Sequence, residues 1–185
     1  MIPSKSAKFP AFEQPPATRS RQMAAIKSKD TSLEVFVRRT VHHAGFRFRL
    51  HPRHVPGKPD FVLPRHRVAV LVNGCFWHGH TCPQGHIPRT NSAYWAAKIA
   101  GNIERDARVI KLLEGAGWLP QVIWDCTKTQ DTDRLIEMLV TLNLATALAT
   151  GARRGSFGVV GETAREQITR TKRGQRVVKA LEIIA

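Results

Sequence analysis

The chain has 185 residues, of which 42% are hydrophobic, and 29 Lys and Arg residues against 14 Asp and Glu residues give it a formal net charge of +15. This length allows one domain with a sizeable core plus tails, and the charge favours a polyanionic partner such as nucleic acid. No apolar run is long enough to cross a bilayer and no signal-peptide pattern is visible, so we expect a cytoplasmic protein without a membrane partner.

The first half of the chain predicts an arm, a helix and three strands. Residues 1–20 are rich in proline and lack a period, which is typical of a flexible arm. Thr31 and Glu34 form the T-x-x-E capping box of a helix that ends at Gly45. The strands follow as "FRFRL" (46–50), "PDFVL" (59–63) and "RVAVLVN" (67–73). The third strand is apolar throughout, which indicates burial of both of its faces under helices.

The second half predicts a long helix, a strand and an outer helix. The long helix spans 91–116, with an inner stripe of Trp95, Ile99, Ile103, Ile110 and Leu113. The strand is "QVIWDC" (121–126), and "TDRLIEMLVTLNL" (132–144) is amphipathic. We therefore expect one α/β domain over 21–143, with a mixed sheet flanked by helices, and a basic C-terminal extension over 144–185.

The stretch "NGCFWHGHTC" (73–82) concentrates cysteine, histidine and aromatic residues. Zn²⁺ prefers four Cys or His ligands in a tetrahedron. Cys75 and Cys126 each lie at the end of a predicted strand, so neighbouring strands would bring them together with His80 and Cys82. The sequence thus predicts a structural Cys₃His zinc site, with His78 or His86 as alternatives to His80. The competing interpretation is three buried, inert thiols.

Two carboxylates stand in unusual places. Asp60 opens a buried strand, where it either starts the strand or holds a metal ion together with a backbone carbonyl such as that of Val72. Asp106 falls on the inner face of the long helix, where it needs an ion pair with Arg105 or a functional role. If Asp60 holds Mg²⁺, His78 is the nearest base in the sequence, although a lone loop histidine is more often simply solvated.

Five blocks of sequence, in order, resemble the very-short-patch (Vsr) DNA mismatch repair endonucleases. They are "MAAIKSKDTSLE" (23–34), "PGKPDFV" (56–62), "GCFWHGHTC" (74–82), "YWAAKIAGNIERD" (94–106) and "GWLPQVIWDC" (117–126). The resemblance implies a restriction-endonuclease-like core. It also implies an enzyme that nicks one DNA strand on the 5′ side of the thymine in T·G mismatches, which arise when 5-methylcytosine deaminates.

The resemblance assigns catalytic roles to four side chains. Asp60 would bind catalytic Mg²⁺ with the carbonyl of Val72, and His78 would activate water. Glu34 and Asp106 would join the site through water or through hydrogen bonds to His78. Glu34 already has a structural explanation in the capping box, and Asn73 departs from the His or Asp of relatives.

The resemblance also implies ligands and DNA contacts. The structural zinc ligands would be Cys75, His80, Cys82 and Cys126. Phe76, Trp77 and Trp95 would insert beside the mismatch, with Met23 entering from the other groove, while Lys98 and Asn102 would read the mismatched pair. An apolar wedge of this kind costs a few kcal/mol of unstacking, which new contacts offset.

The expected partner is therefore duplex DNA with a T·G mismatch, bound by a monomer that works alongside other mismatch-repair proteins. Two other interpretations stay open: an endonuclease triggered by another mismatch or sequence, and a non-catalytic zinc-containing DNA-binding protein.

Overall fold

A computed structural model of the chain describes residues 9–14, 17–18, 21 and 29–150, with side chains up to residue 146. The expectations for Met23 and for the extension beyond residue 150 lie outside the described residues. Three helices and four strands make up the described fold, in the predicted order of helix, three strands, helix, strand, helix. Within these ranges, no helix combines the length and apolarity that crossing a membrane requires.

Helix α1 (Ser32–His43) begins at the predicted capping box. The backbone N–H of Glu34 donates to the Thr31 hydroxyl (3.2 Å), and the Glu34 carboxylate accepts from that hydroxyl (2.9 Å). The carboxylate also accepts from the backbone N–H of Asp30 (3.2 Å). Gly45 follows the helix with a φ of +87°, a conformation that favours glycine.

The sheet is mixed and has the order β1-β2-β3-β4. Its strands are β1 (Arg49–Leu50), β2 (Phe61–Leu63), β3 (Val68–Asn73) and β4 (Leu119–Trp124). The β1–β2 and β2–β3 pairs are antiparallel, whereas β3 and β4 are parallel. The carboxyl ends of β3 and β4 therefore lie side by side, with Asn73 opposite Trp124.

Helices cover both faces of the sheet, as the apolar third strand predicts. Val68 and Val70 face one core cluster, which α1 and α3 (Lys128–Thr150) complete with Val37 and Leu139. Ala69 faces a second cluster on the other side of the sheet, under α2 (Ser92–Gly115). This arrangement confirms the mixed α/β architecture.

Three predicted boundaries are wrong. "FRFRL" pairs only at Arg49–Leu50, because the N–H of Phe46 still bonds to the α1 carbonyl of Val41 (3.2 Å) and Pro64 ends the partner strand. The fourth strand ends at Trp124, and Cys126 lies in the 3₁₀ turn that follows. The last helix runs from Lys128 to Thr150, past the predicted boundary at residue 144.

The inner stripe of α2 is correct at Trp95, Ile99 and Leu113, which are buried. Ile110 is only half-buried, and Ile103, which is 47% exposed, is wrong. At 100° per residue, Ile103 lies about 80° from Trp95, at the edge of the stripe, while Asp106 lies within about 20°. The side chain of Asp106 is accordingly only 24% exposed.

Residues 9–14 of the predicted arm lie against α2. The Phe12 ring packs on Tyr94 (centroids 4.7 Å apart), and the backbone of Glu13 exchanges two hydrogen bonds of 2.9 Å with the Asn91 side chain.

Candidate active site

Asp60 lies immediately before β2, between two backbone strands that fix its position. Its own N–H donates to the carbonyl of Val70 (3.0 Å), and its Oδ2 accepts from the N–H of Val72 (2.7 Å). Within the described residues, the other carboxylate oxygen has no hydrogen bond. The carboxyl group thus has one anchored oxygen and one that is free to face a cation.

The pKa of Asp60 reflects the enclosure of this site. Burial raises the pKa above its usual value, and the hydrogen bond from Val72 opposes that effect. The nearby Glu34 carboxylate raises the pKa of Asp60 further, whereas His51 and His78 lower it. The backbone of His51 contacts Asp60 directly, since its N–H donates to the Asp60 carbonyl (3.1 Å), and the Glu34 carboxylate lies within 4.8 Å of the His51 side chain.

His78 is held by the long helix. Its Nδ1 lies 2.5 Å from Oδ2 of Asp106, and both side chains are largely buried. Arg105 is 3.6 Å from the other oxygen of Asp106, so the predicted ion pair is also present. With a carboxylate at Nδ1, the imidazole carries its proton there and presents Nε2 as an acceptor. Such an acceptor, on the loop that follows β3, is suited to taking a proton from water.

Glu34 does not contact His78 in the described structure. Both of its carboxylate oxygens take part in the hydrogen bonds that cap α1. Glu34 therefore adds a second negative charge near Asp60 and is not a hydrogen-bond partner of His78.

The predicted zinc ligands converge. The ligand atoms of Cys75, His80, Cys82 and Cys126 all lie within 4.8 Å of one another, and the three cysteines are free. The sulfur of Cys126 is 3.4 Å from Nδ1 of His80. Around a tetrahedral Zn²⁺ the ligand atoms are about 3.5–3.8 Å apart, so this donor set fits the ion.

Cys75 and Cys82 lie in different environments, and their pKa values shift in opposite directions. Burial raises the pKa of Cys75 to about 11, whereas the hydrogen bond with His80 lowers the pKa of Cys82 to about 6. The two other candidate histidines are used elsewhere: His78 by Asp106, and His86 by the carbonyl of Pro83 (2.9 Å).

The aromatic residues of the loop form a cluster with α2. Phe76 and Trp77 are half-buried, with ring centroids 5.2 and 5.9 Å from that of Trp95. Trp95 itself is buried, and the ring of Phe12 lies 6.2 Å from it. The two loop rings are thus partly accessible, as is the exposed Phe12, and the buried Trp95 packs against all three.

Lys98 and Asn102 lie on the same side of α2. The Lys98 ammonium is 5.5–6.0 Å from the rings of Tyr94, Trp95 and Trp77. The Asn102 amide donates to the backbone carbonyl of Trp77 (2.7 Å), which ties the loop to the helix.

Comparison with known proteins identifies the family. The family model described as DNA mismatch endonuclease Vsr matches residues 13–84. The type II nicking enzyme V.XorIIP of Xanthomonas oryzae is 43% identical over 111 residues, which cover 60% of this chain and 82% of that protein. The chain belongs to the Vsr family. The DNA mismatch endonuclease Vsr of Escherichia coli is 39% identical over 110 residues, covering 60% of this chain and 70% of that protein. The type II nicking enzyme V.NmeAIP of Neisseria meningitidis is 44% identical over 108 residues, with 58% and 77% covered.

As a Vsr-family protein, the chain is a DNA endonuclease and hence a hydrolase. The likeness to these relatives confirms the family resemblance of the five sequence blocks. It also favours an enzyme over a non-catalytic DNA-binding protein.

Two features of this Vsr-family site were missed from the sequence. His51 directly follows β1, and its N–H donates to the carbonyl of Asp60 (3.1 Å). Its side chain lies within 4.8 Å of the carboxylates of Asp30 and Glu34. The feature that could have located this position is the pairing of Leu50 with Phe61, because it places the residue after Leu50 beside Asp60.

Gly79 is the second missed feature. Its φ is +63°, and a Cβ placed there would meet Ile103 at 2.7 Å and Ile99 at 2.8 Å. The loop therefore passes over α2 too closely for any side chain. Glycine tolerates both a positive φ and a close backbone approach, so the glycine itself is the sequence signal for such a contact.

Proposed function

We propose that this protein is a Mg²⁺-dependent endonuclease that nicks one strand of duplex DNA on the 5′ side of the thymine in a T·G mismatch. Such mismatches follow deamination of 5-methylcytosine, so the reaction would initiate very-short-patch repair. The observation that carries the proposal is the hydrogen bond between Asp106 and His78, which lies on the loop that follows β3, the strand whose Val72 N–H holds the half-buried Asp60 carboxylate.

The metal-binding role falls to Asp60 and the carbonyl of Val72. The free oxygen of Asp60 and a backbone carbonyl are hard oxygen ligands, which Mg²⁺ prefers. Mg²⁺ bound there would polarise the scissile phosphate and stabilise its developing negative charge. The N–H of Val72 fixes the Asp60 carboxylate, so that little reorganisation is needed when the cation and DNA bind.

The proton-transfer role falls to His78. Its Nε2 accepts a proton from the attacking water, while Asp106 holds the ring and stabilises the imidazolium that forms. The water oxygen bonds to phosphorus, the bond to the 3′ oxygen breaks, and the departing 3′ oxygen takes a proton from solvent, which leaves a 3′-hydroxyl and a 5′-phosphate. Glu34 would act through ordered water, since its carboxylate already caps α1.

The recognition role falls to the aromatic cluster. Phe76 and Trp77 are half-buried and lie on a loop that the Cys₃His cluster holds, which supports their insertion beside the mismatch. A wobble pair stacks poorly, so opening the adjacent step costs less there than in a matched duplex. We assign Trp95 to the support of this wedge, with Met23 entering from the other groove and Lys98 and Asn102 facing the mismatched pair.

Further assignments follow from this scheme. The mixed sheet with Asp60 at the head of one strand and Val72 near the end of the next supports a restriction-endonuclease-like core over residues 21–143. The Cys₃His cluster would hold structural Zn²⁺. We infer a cytoplasmic enzyme that acts on DNA as a monomer, with the basic segment over 144–185 as an accessory part.

The test is cleavage of a panel of labelled duplexes that differ only in one base pair, with Mg²⁺ or with EDTA. We expect a nick 5′ of the thymine in T·G only, and only with Mg²⁺. Asp60→Ala should abolish nicking while it preserves DNA binding. Equal cleavage of another mismatch would replace the T·G assignment, and no Mg²⁺-dependent nicking of any duplex would remove the catalytic one.

The recognition role has its own variant. Trp77→Ala should reduce the preference for T·G over C·G duplexes, whereas Phe36→Ala, which removes a partly exposed ring on α1, should not. Unchanged discrimination by the Trp77 variant would rule out the wedge.

A further inference from the structure

A concave surface outside the active site lies along helix α1. It encloses about 250 Å³ and is lined by Val35, Arg38, Arg39, His42, His43 and Phe48. Five of these residues recur along the helix at spacings of three or four, so they share one face. Phe48, from the segment before β1, closes the side. We refer to this surface as the α1 groove.

The α1 groove is basic and lacks an acidic lining residue. Four of its six residues are Arg or His. Arg38 is buried and already engaged, since it donates to Asp30 (2.6 Å) and to the backbone carbonyl of Glu34 (3.2 Å). Arg39 and His43 are exposed, and neither forms an ion pair or a hydrogen bond within the part of the chain that the structure describes. The groove thus offers donors without protein partners.

The α1 groove begins at the active site. Glu34, one turn before Arg38, lies within 4.8 Å of His51, the residue whose backbone contacts Asp60. At the other side, Phe48 is three residues from His51, whose N–H donates to the Asp60 carbonyl. From Glu34 to His42 the helix rises about 12 Å. Phosphates of one DNA strand recur about every 3.4 Å along the axis, so about three of them span this length.

We propose that the α1 groove binds backbone phosphates of the duplex that flanks the cleaved step. This inference rests on the proposed function, because it requires DNA at Asp60. An exposed arginine flanked by two exposed histidines on one open face suits a continuous polyanion, whereas a small anion would need an enclosed cradle and Arg38 is already occupied. The contact is independent of base sequence, so it contributes affinity and orientation rather than mismatch selectivity.

The test is the salt dependence of DNA binding by Arg39→Gln, measured in EDTA so that no cleavage occurs. The logarithm of the affinity falls linearly with the logarithm of salt, with a slope of about 0.9 per neutralised phosphate. Loss of one phosphate contact should lower the slope by about one and weaken binding about five- to tenfold near 0.1 M salt. Arg39→Lys, which keeps the charge, should retain most of the slope.

Arg65→Gln is the matched control. Arg65 is exposed and lies in the 3₁₀ turn that follows β2. Asp60 precedes β2, so the two residues lie at opposite ends of that strand. This variant should bind with the wild-type slope. Duplexes shortened stepwise on either side of the mismatch then locate the contact, because wild type and Arg39→Gln should converge once the flank that reaches the groove is removed.

The outcomes separate the two proposals. Single-turnover nicking by Arg39→Gln at saturating enzyme should stay within about twofold of wild type, since Arg39 takes no part in the chemistry. A wild-type slope for Arg39→Gln, or an equal loss for Arg65→Gln, would overturn the α1 groove as a DNA contact. Because binding in EDTA is measurable on matched duplexes as well, this result stands even if T·G nicking is not observed.

Discussion

Replacing Asp106 with asparagine should inactivate His78 without disturbing the fold. In the wild-type protein the carboxylate accepts the proton of Nδ1, which leaves Nε2 as the acceptor that faces water. An asparagine amide can donate to Nδ1 instead, and the ring proton then moves to Nε2, where it blocks base catalysis. The two groups are about one-fifth and one-quarter exposed, so solvent does not readily replace the lost contact.

The magnitude is bounded by the contribution of His78 itself. General base catalysis is worth about 10²- to 10⁴-fold, or roughly 3–5 kcal/mol. Asp106→Asn should therefore slow single-turnover nicking of a T·G duplex by about 10²-fold or more. It should approach the rate of His78→Ala, and the double variant should be little slower than either single one, because both remove the same proton acceptor.

The assay is single-turnover nicking at saturating enzyme, with binding affinity measured separately in EDTA. Arg105→Gln is the control, since Arg105 is more than half exposed and 3.6 Å from the Asp106 carboxylate, and a rate within about threefold of wild type is expected. The assignment of His78 as the base is refuted if Asp106→Asn nicks within about threefold of the wild-type rate while it binds DNA normally.

Three further predictions concern stability and metal content. Cys126→Ala should lose bound zinc by metal analysis and lower Tm by roughly 10 °C, whereas His86→Ala, which removes a histidine outside the cluster, should keep the metal. Because burial raises the pKa of Asp60 in the folded protein, its ionisation opposes folding. As the pH rises from about 4, the ordinary carboxyl pKa, through the raised pKa of native Asp60, the Tm of Asp60→Asn should therefore rise relative to that of wild type. The Tm of both proteins is measured in EDTA over this range. A Tm advantage of Asp60→Asn that shrinks as the pH rises would contradict the prediction. Gly79→Ala should cost about 1–3 kcal/mol of unfolding free energy, while Gly101→Ala, whose Cβ meets nothing within 4 Å, should be neutral or stabilising in urea titrations.

The parts of the fold that the sequence predicts are those with local causes. The capping box depends on residues three apart, and the apolar third strand indicates its two-sided burial without knowledge of its neighbours. The convergence of Cys75 with Cys126 follows once the two preceding strands are taken as neighbours, which the parallel β3–β4 pair confirms.

The parts that the sequence does not predict depend on distant residues. Asp106 and His78 are 28 positions apart, and Glu13 and Asn91 are 78 apart, so neither contact has a local pattern. The family resemblance gave Glu34 and Asp106 one shared role, through water or through hydrogen bonds to His78. Only Asp106 contacts His78, because Glu34 is committed to capping α1.

One loop carries both the proposed base, His78, and the proposed wedge residue, Trp77. On one side, Asn102 holds the carbonyl of Trp77 and Asp106 holds His78, so two positions of α2 fix two consecutive loop residues. On the other side, the Cys₃His cluster joins the loop to Cys126 after β4. Displacing the loop at the cluster should therefore move the aromatic ring and the imidazole together.

This coupling distinguishes two kinds of variant. Cys126→Ala should lose nicking rate and T·G preference in parallel, whereas Asp106→Asn should lose rate and keep the preference, since it leaves Trp77 and its tie to Asn102 in place. Rate and the T·G to C·G ratio are measured on the same duplexes below the melting temperature of the variant. If Cys126→Ala lost rate but kept full discrimination, the loop would not act as one rigid unit, and the ring and the imidazole would be positioned independently.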